Sequence, residues 1–381
     1  MAGSPLLIVN VVGLTPGGIG ENTPALNRFA GEQGVRTLQP PLPAVTCTSQ
    51  ATIATGVPPR EHGIVSNGWY FRETGEIRFW MRSGHLVSGE TIWEAARSID
   101  PGIRTANIFW RFCTHSTCDV TVTERPTYWA DGRKGPDIYT EPADLRDELV
   151  DKLGEFPLFR FWGPGTSIES TRWIADATLH VIRSHRPDIV LTYLPHLDYD
   201  VQKFGPDSAE SARAHQEVDA EAGRLIAAAE GTGYDVAVLS EYGMTPVSQP
   251  VFLNRVLRRA GFVRVQRAQN GELLEPGASR AFAVCSHQAA HIYVANPDDI
   301  ATVKQILEST AGVERVLDTD GKRESELDHS RSGELVAIAD ANSWFAYPYW
   351  LDDDEAPDFA RCVAIHDKPG HDPVEMFLRD I

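Results

Sequence analysis

The run Leu6-Leu7-Ile8-Val9-Asn10-Val11-Val12 is apolar throughout except for Asn10, and it stops at Gly13. Apolar side chains at consecutive rather than alternate positions are what a strand buried on both faces of a parallel sheet requires. Thr23 and Pro24 follow as cap and first-turn residue and predict a helix over residues 23–33. The same strand-and-helix unit returns later. Ile168 to Arg183 reads as a helix, and Asp188 to Leu194 (DIVLTYL) as a second buried strand. Ser208 to Glu230, rich in Ala and Glu and closed by Gly231, reads as a long helix, and Asp235 to Ser240 (DVAVLS) as a third strand. The alternation predicts an α/β fold: a doubly wound, mostly parallel sheet flanked by helices. Ligands of such sheets bind at the carboxyl ends of the strands. That directs attention to Val12-Gly13-Leu14, Pro195-His196-Leu197-Asp198 and Ser240-Glu241-Tyr242-Gly243.

Two stretches break the alternation. Residues Trp69 to Trp162 are rich in Trp, Tyr, Pro and Gly and have no clean period, and Pro246 to Asp340 mixes short strands with turns. Long insertions outside the core are often lids. The expected organisation is therefore a core of residues 1–245 plus 341–381, with 246–340 as an inserted cap. The 381 residues are 42% apolar and carry a formal net charge of −18, too apolar for disorder. A strongly acidic chain without a basic block is a poor nucleic-acid binder, because phosphates repel it. No apolar run reaches the length of a membrane span. The N-terminal MAGSPLLIVNVVGL lacks a basic region and turns strand-like at once, so it is not expected to be a signal peptide. Cys47, Cys113, Cys118, Cys285 and Cys362 are few and scattered, and only Cys113 and Cys118 are close, a weak zinc signal. Reduced thiols in a soluble cytoplasmic protein are the expectation.

The segment Pro43 to Tyr70, PAVTCTSQATIATGVPPREHGIVSNGWY, is dense in small hydroxyl residues. Thr46 stands just before a helical stretch, Ser49 to Thr55. A hydroxyl at a helix N-terminus faces free backbone N–H groups and the positive end of the dipole, which bind an anion and stabilise an alkoxide. The same position also suits a plain helix cap.

In order along the chain, strand–Gly–Leu, TPALNRFAGEQGV and LPAVTCTSQATIATGVPPREHGIVSNGWY resemble the alkaline phosphatase superfamily. The nucleotide pyrophosphatase/phosphodiesterase branch is the most similar. Its P-x-x-T and TG-x-x-P-x-x-HGI-x-x-N segments are matched here. DYDVQKFGPDS, Asp198 to Ser208, is similar to its D-x-x-GH-x-x-GPDS, SEYGM at Ser240 to Met244 to its SDHGM, and Gly370-His371-Asp372 to its final HGYDN. The resemblance implies Thr46 as nucleophile and Asn67 as a hydrogen-bond donor to a phosphoryl oxygen. It also implies two metal ions, usually zinc, held by six Asp and His ligands, and five of those positions differ here. Val12 stands for the first-strand Asp, Glu241-Tyr242 for an Asp-His pair, Gln202 for a His and Pro369 for the last His, while Asp198 is identical. Zinc takes His, Cys or carboxylate ligands, so this set argues against a two-zinc clamp. A single divalent ion held by Asp198, Asp200, His196, His366 or His371 stays open.

The expected site therefore has Thr46, Asn67, Asp198 and Glu241 in catalysis and His196, Asp200, Gln202, Tyr242, His366 and Lys368 around the substrate, with no metal ligand assigned. His287 and His291 precede a strand-like IYVAN and read as structural. Trp69, Tyr70, Phe71, Trp80, Trp344, Phe345, Tyr347, Tyr349 and Trp350 read mostly as core or cap packing. The expected function is phosphodiesterase or nucleotide pyrophosphatase-like hydrolysis of a phosphate-bearing small molecule through Thr46. The alternative is a non-hydrolytic descendant, either a ligand-binding scaffold or a metal-free lyase or transferase. Arg111, Arg133, Lys134 and Lys368 are the cations that would replace lost metal charge.

Overall fold

The computed structural model describes residues 3–163, 165–358 and 360. The chain divides into two compact units. The first comprises the residues up to Pro40, Ile53–Gly56 and Arg82–Thr245; the second comprises Pro41–Thr52, Val57–Met81 and the chain from Pro246 onward. The stretch 246–340, expected as a cap, thus belongs to the same unit as two earlier segments and the described residues after 340.

The first unit is built on β1 (Leu6–Val11), β2 (Thr105–Ile108), β3 (Val120–Glu124), β4 (Ile138–Glu141), β5 (Ile189–Leu194) and β6 (Asp235–Leu239). They form one six-stranded sheet in the order β6-β1-β5-β2-β3-β4. Every pairing is parallel except that of the edge strand β4, which runs antiparallel to β3. The consecutive apolar residues of β1 are buried, as both faces of a central strand demand. In register, Leu7 lies beside Val190 and Val236, and Val9 beside Thr192 and Val238.

Helices α1 (Pro24–Gln33), α2 (Thr46–Thr55), α3 (Ile168–His185), α4 (His196–Phe204) and α5 (Ala209–Gly231) complete the elements used below; α2 is shared between the two units. Ser208 caps α5 by accepting the Ser211 N–H at 3.1 Å, as its sequence position foretells. Thr23 does not cap α1. Its hydroxyl donates to the Gly18 carbonyl at 3.0 Å and accepts from Gly20 N–H at 2.9 Å, tying down the preceding loop. The Ala25 and Leu26 N–H groups are instead taken by the Asp219 carboxylate of α5, at 3.0 and 2.8 Å. The helix start is therefore closed by a residue almost two hundred positions away, which local sequence does not reveal.

The second unit contains an antiparallel sheet of β7 (Ala281–Ser286), β8 (Ala289–Val294), β9 (Val313–Leu317) and β10 (Leu335–Ala339), ordered β7-β8-β10-β9. His291 lies on β8, buried, with Nε2 donating to the Val65 carbonyl at 3.0 Å and Nδ1 accepting the Gly333 N–H at 3.2 Å. That is a structural histidine, as its strand setting indicates. Among the described residues no helix is long and apolar enough to cross a membrane.

Candidate active site

In the second unit, α2 begins at Thr46 itself, three residues before the stretch that reads as helical. The Val45 carbonyl accepts the Ser49 N–H at 2.9 Å, which draws Thr46, Cys47 and Thr48 into the first turn. Thr46 is 4% exposed. A helix start leaves four N–H donors without intrahelical partners. One of them, Cys47 N–H, donates to Asn67 Oδ1 at 3.0 Å. Asn67 is itself held by its backbone carbonyl, which accepts Trp80 N–H at 3.0 Å. With Oδ1 committed to an N–H donor, the remaining hydrogen-bonding group of the amide is the Nδ2 donor pair. The structure thus brings Thr46 and Asn67 to one helix end.

The surroundings of that helix end are polar and incompletely satisfied. Thr48 Oγ1, Ser49 Oγ and Ser66 Oγ are buried without a hydrogen-bond partner among the described residues. Leaving such groups unpaired costs about 1–3 kcal/mol each, a concentration more typical of ligand-binding sites than of plain core. His62 stitches the helix to the following segment. Its Nδ1 accepts the Ile64 N–H at 3.0 Å, and Nε2 donates to Thr52 Oγ1 at 2.9 Å. Burial, then the neighbouring His329 and Arg331, lower its pKa to about 4, so the ring is neutral near pH 7.

In the first unit a second polar group forms at the carboxyl ends of the sheet strands. Gly13 follows β1 with φ +82°, a conformation that a side chain disfavours. A Cβ there would lie 2.9 Å from Met244 Cε, the movable end of a side chain, and at an ordinary contact distance of 3.6 Å from Asp198 Cα, so the backbone conformation is what calls for glycine. Asp198, in the first turn of α4, is buried. Its Oδ1 accepts from Tyr242 OH at 3.0 Å, and its Oδ2 accepts from Gln202 Nε2, one helical turn on, at 2.7 Å. Glu241, 1% exposed, accepts from Asn10 Nδ2 at 2.6 Å through Oε1. Asn10 is the residue that interrupts the apolar run of β1, and that interruption was the sequence signal for its role. Val12, fully buried, brings no polar side-chain atom. Tyr193, the next residue inward on β5, is buried; desolvation first, then the Glu241 carboxylate, push its phenol well above the ordinary range.

The other expected residues divide. Asp198, Gln202 and Tyr242 touch one another, and Glu241 pairs with Asn10. His196 does not join them: its Nε2 donates to Glu217 Oε2 of α5 at 2.6 Å, so its ring is spent on helix packing. Asp200 is half-buried on α4, and desolvation raises its carboxyl above the usual range while His196 opposes the shift. His366, Lys368, Pro369 and His371 lie outside the described residues. Beside α4 a polar cavity of about 450 Å³ is lined by Gly13, Thr15, Val201, Ser208, His215 and Met244, among others. Among the described residues, no group of three or more His, Cys, Asp or Glu side chains is placed to hold a metal ion. Cys113 and Cys118 are buried free thiols, and burial pushes them up to about 12 and about 11.

Comparison with known proteins bears on the family and the fold. A family model described as type I phosphodiesterase / nucleotide pyrophosphatase matches residues 6–372. An uncharacterized pyrophosphatase/phosphodiesterase of Schizosaccharomyces pombe is 28% identical over 218 residues, covering 55% of this chain and 38% of the relative. This chain therefore aligns with well under half the length of that relative. Among solved structures, phosphonoacetate hydrolase from Sinorhizobium meliloti, in complex with phosphonoacetate, superposes with a TM-score of 0.66 at 20% identity, covering 93% of this chain and 84% of that one. An inactive variant of murine ectonucleotide pyrophosphatase / phosphodiesterase 5, in complex with AMP, gives 0.63 at 15% identity, covering 98% and 85%. At such identities the superpositions establish the fold. Because the family model runs through β1, the Thr46 segment, α4 and the strand end at Glu241, the chain belongs to the type I phosphodiesterase / nucleotide pyrophosphatase family.

Proposed function

We infer that the protein hydrolyses a phosphate ester or pyrophosphate bond of a small molecule, with Thr46 as the nucleophile. The observation that carries the reading is the Cys47 N–H to Asn67 Oδ1 hydrogen bond, which sets the Asn67 amide at the helix end that begins with Thr46. In this reading Thr46 Oγ attacks phosphorus, the ester P–O bond breaks, and the alcohol leaves. Water then cleaves the threonyl-phosphate. Charge developing on the phosphoryl oxygens meets the Asn67 Nδ2 donor and the positive end of the helix dipole. An unassisted threonine hydroxyl is a weak nucleophile near pH 7, so the reading needs a base, for which Asp198 and Glu241 are the candidates that the sequence offers.

The residues at the family's metal positions do not fit a pair of dications. Val12 has no donor atom. Tyr242 binds Asp198 as a protonated hydroxyl and Gln202 as an amide N–H, so two groups that donate hydrogen bonds stand where the family has metal-binding histidines. Asn10 supplies a further N–H to Glu241. These donors offset carboxylate charge by hydrogen bonding, the role that coordination to a metal would otherwise fill. Prolonged dialysis against a chelator is expected to leave turnover of an aryl phosphodiester unchanged. A fall that zinc restores would show the reading of these positions to be wrong.

Asn67→Ala is expected to lower kcat/KM by roughly 10²-fold, the usual cost of one preorganised donor. Asn67→Asp is expected to lower it further, since a carboxylate faces an anionic substrate. Steady-state kinetics on the same diester read both, and unchanged kcat/KM in Asn67→Ala would remove Asn67 from the site.

A further inference from the structure

A buried hydroxyl on a helix ordinarily returns its O–H to the carbonyl one turn back. Thr178 does so in this chain: buried on α3, it donates to the Ile174 carbonyl at 2.9 Å. Ser49 does not. It is fully buried on α2, and its backbone N–H donates to the Val45 carbonyl at 2.9 Å, yet its Oγ has no hydrogen-bond partner among the described residues. An unpaired buried hydroxyl costs stability wherever it stands. A ligand atom is the partner that would offset the cost.

Helix geometry fixes where that hydroxyl stands. Thr46 is the first residue of α2, and Ser49 follows three positions later. Residues at i and i+3 share a helix face, with Cβ atoms about 5–6 Å apart. Thr48, the other orphan hydroxyl of α2, lies roughly 200° round the helix from Thr46. Ser49 is therefore the orphan that shares the face of Thr46. Asn67 is tied to the same first turn, its Oδ1 accepting Cys47 N–H at 3.0 Å. We propose that Ser49 Oγ–H donates a hydrogen bond to a non-bridging phosphoryl oxygen of the substrate, one turn along α2 from the Thr46 hydroxyl, which makes Ser49 a further catalytic residue. The assignment rests on the hydrolase reading. Ser49 keeps its proton throughout, and no covalent bond to it forms or breaks. Its hydrogen bond to a charged oxygen strengthens as charge grows on the phosphoryl group in the transition state, alongside the Asn67 Nδ2 donor and the positive end of the helix dipole.

The test uses the full chain, with an aryl phosphodiester for turnover and inorganic phosphate for binding by titration calorimetry. The variants are Ser49→Ala, which removes the hydroxyl, and Ser49→Cys, which keeps the shape but donates weakly. Ser49→Ala is expected to lower kcat/KM and phosphate affinity by about tenfold or more each, the worth of a hydrogen bond to a charged group. The loss of rate is expected to fall mainly on kcat. Its thermal midpoint is expected to match or exceed that of the wild type, because an unpaired buried hydroxyl is removed and Ala is the better helix former. A packing role would instead lower the midpoint along with activity. Ser49→Cys is expected to resemble Ser49→Ala in its kinetics; wild-type turnover in Ser49→Cys would overturn the assignment in favour of shape alone. Unchanged kcat/KM or unchanged phosphate affinity in Ser49→Ala overturns it as well. Failure of the hydrolase reading shows separately, as turnover retained in Thr46→Ala, and the phosphate titration still reports on Ser49 in that case.

Discussion

Thr46→Ala is expected to abolish phosphodiester hydrolysis, lowering kcat by about 10³-fold or more, because a covalent nucleophile has no substitute. The fold is expected to survive the change. Thr46 is the first residue of α2, where Ala is a better helix former by a few tenths of a kcal/mol. The Asn67 contact is made by the Cys47 backbone and does not depend on the Thr46 side chain. Loss of one hydroxyl and one methyl from a buried position leaves a void of only two heavy atoms. Circular dichroism and the thermal midpoint should therefore stay near wild type while turnover disappears. Thr46→Ser, which keeps the hydroxyl and removes only the methyl, is expected to retain measurable turnover. Full activity in Thr46→Ala would move the chemistry to another residue.

The second large effect is on stability in mild acid. His62 and His291 are both buried and neutral. His62 is lowered to about 4 by desolvation, then by His329 and Arg331. His291 is also lowered to about 4, by desolvation first, with Lys322 and Arg72 adding to it and the Val65 carbonyl opposing. In the unfolded chain both titrate near 6.5. Between those values the unfolded state binds more protons than the native state, so stability rises with pH across the window. Each histidine's contribution is complete above pH 6.5 and is lost as pH falls toward 4. A depression of this size corresponds to about 3 kcal/mol per histidine at the acid end, a large share of the ~5–15 kcal/mol that holds a typical domain folded. Urea midpoints are expected to fall steeply between pH 7 and 5, well above the range where most carboxylates protonate. In His62→Gln/His291→Gln the slope should largely vanish. A flat wild-type profile over that range would mean that these rings are charged or solvated in the native state.

The strands at Leu6–Val11, Ile189–Leu194 and Asp235–Leu239 were legible because central parallel strands need consecutive apolar residues, and their ends named the loops to inspect. The long helix Ala209–Gly231 was legible through its Ser208 cap. The capping of Pro24–Gln33 was not, because its acceptor, Asp219, comes from another helix. His196 shows the limit most clearly. Beside Asp198 and Asp200 it looks like part of an acid–base cluster, yet its ring turns to Glu217, since successive residues of a helix point in different directions. Glu124 ends an ordinary VTVTE strand, and only the approach of Arg82 and Arg111 makes it a buried ion-pair partner.

Sequence by itself determined the α/β class, the family, and the pairing of a Thr46 segment with Asn67, because these depend on periodicity and on motifs read within short windows. It also exposed the departures at Val12, Gln202 and Tyr242. What those departures do was decided by tertiary structure alone. Tyr242 and Gln202 come from a loop and a helix turn to donate to the same carboxylate of Asp198, and Asn10 from a neighbouring strand donates to Glu241. Hydrogen bonds of this kind need donor and acceptor within about 3 Å in a fixed orientation, and that proximity is set by how strands order in the sheet, not by separation along the chain.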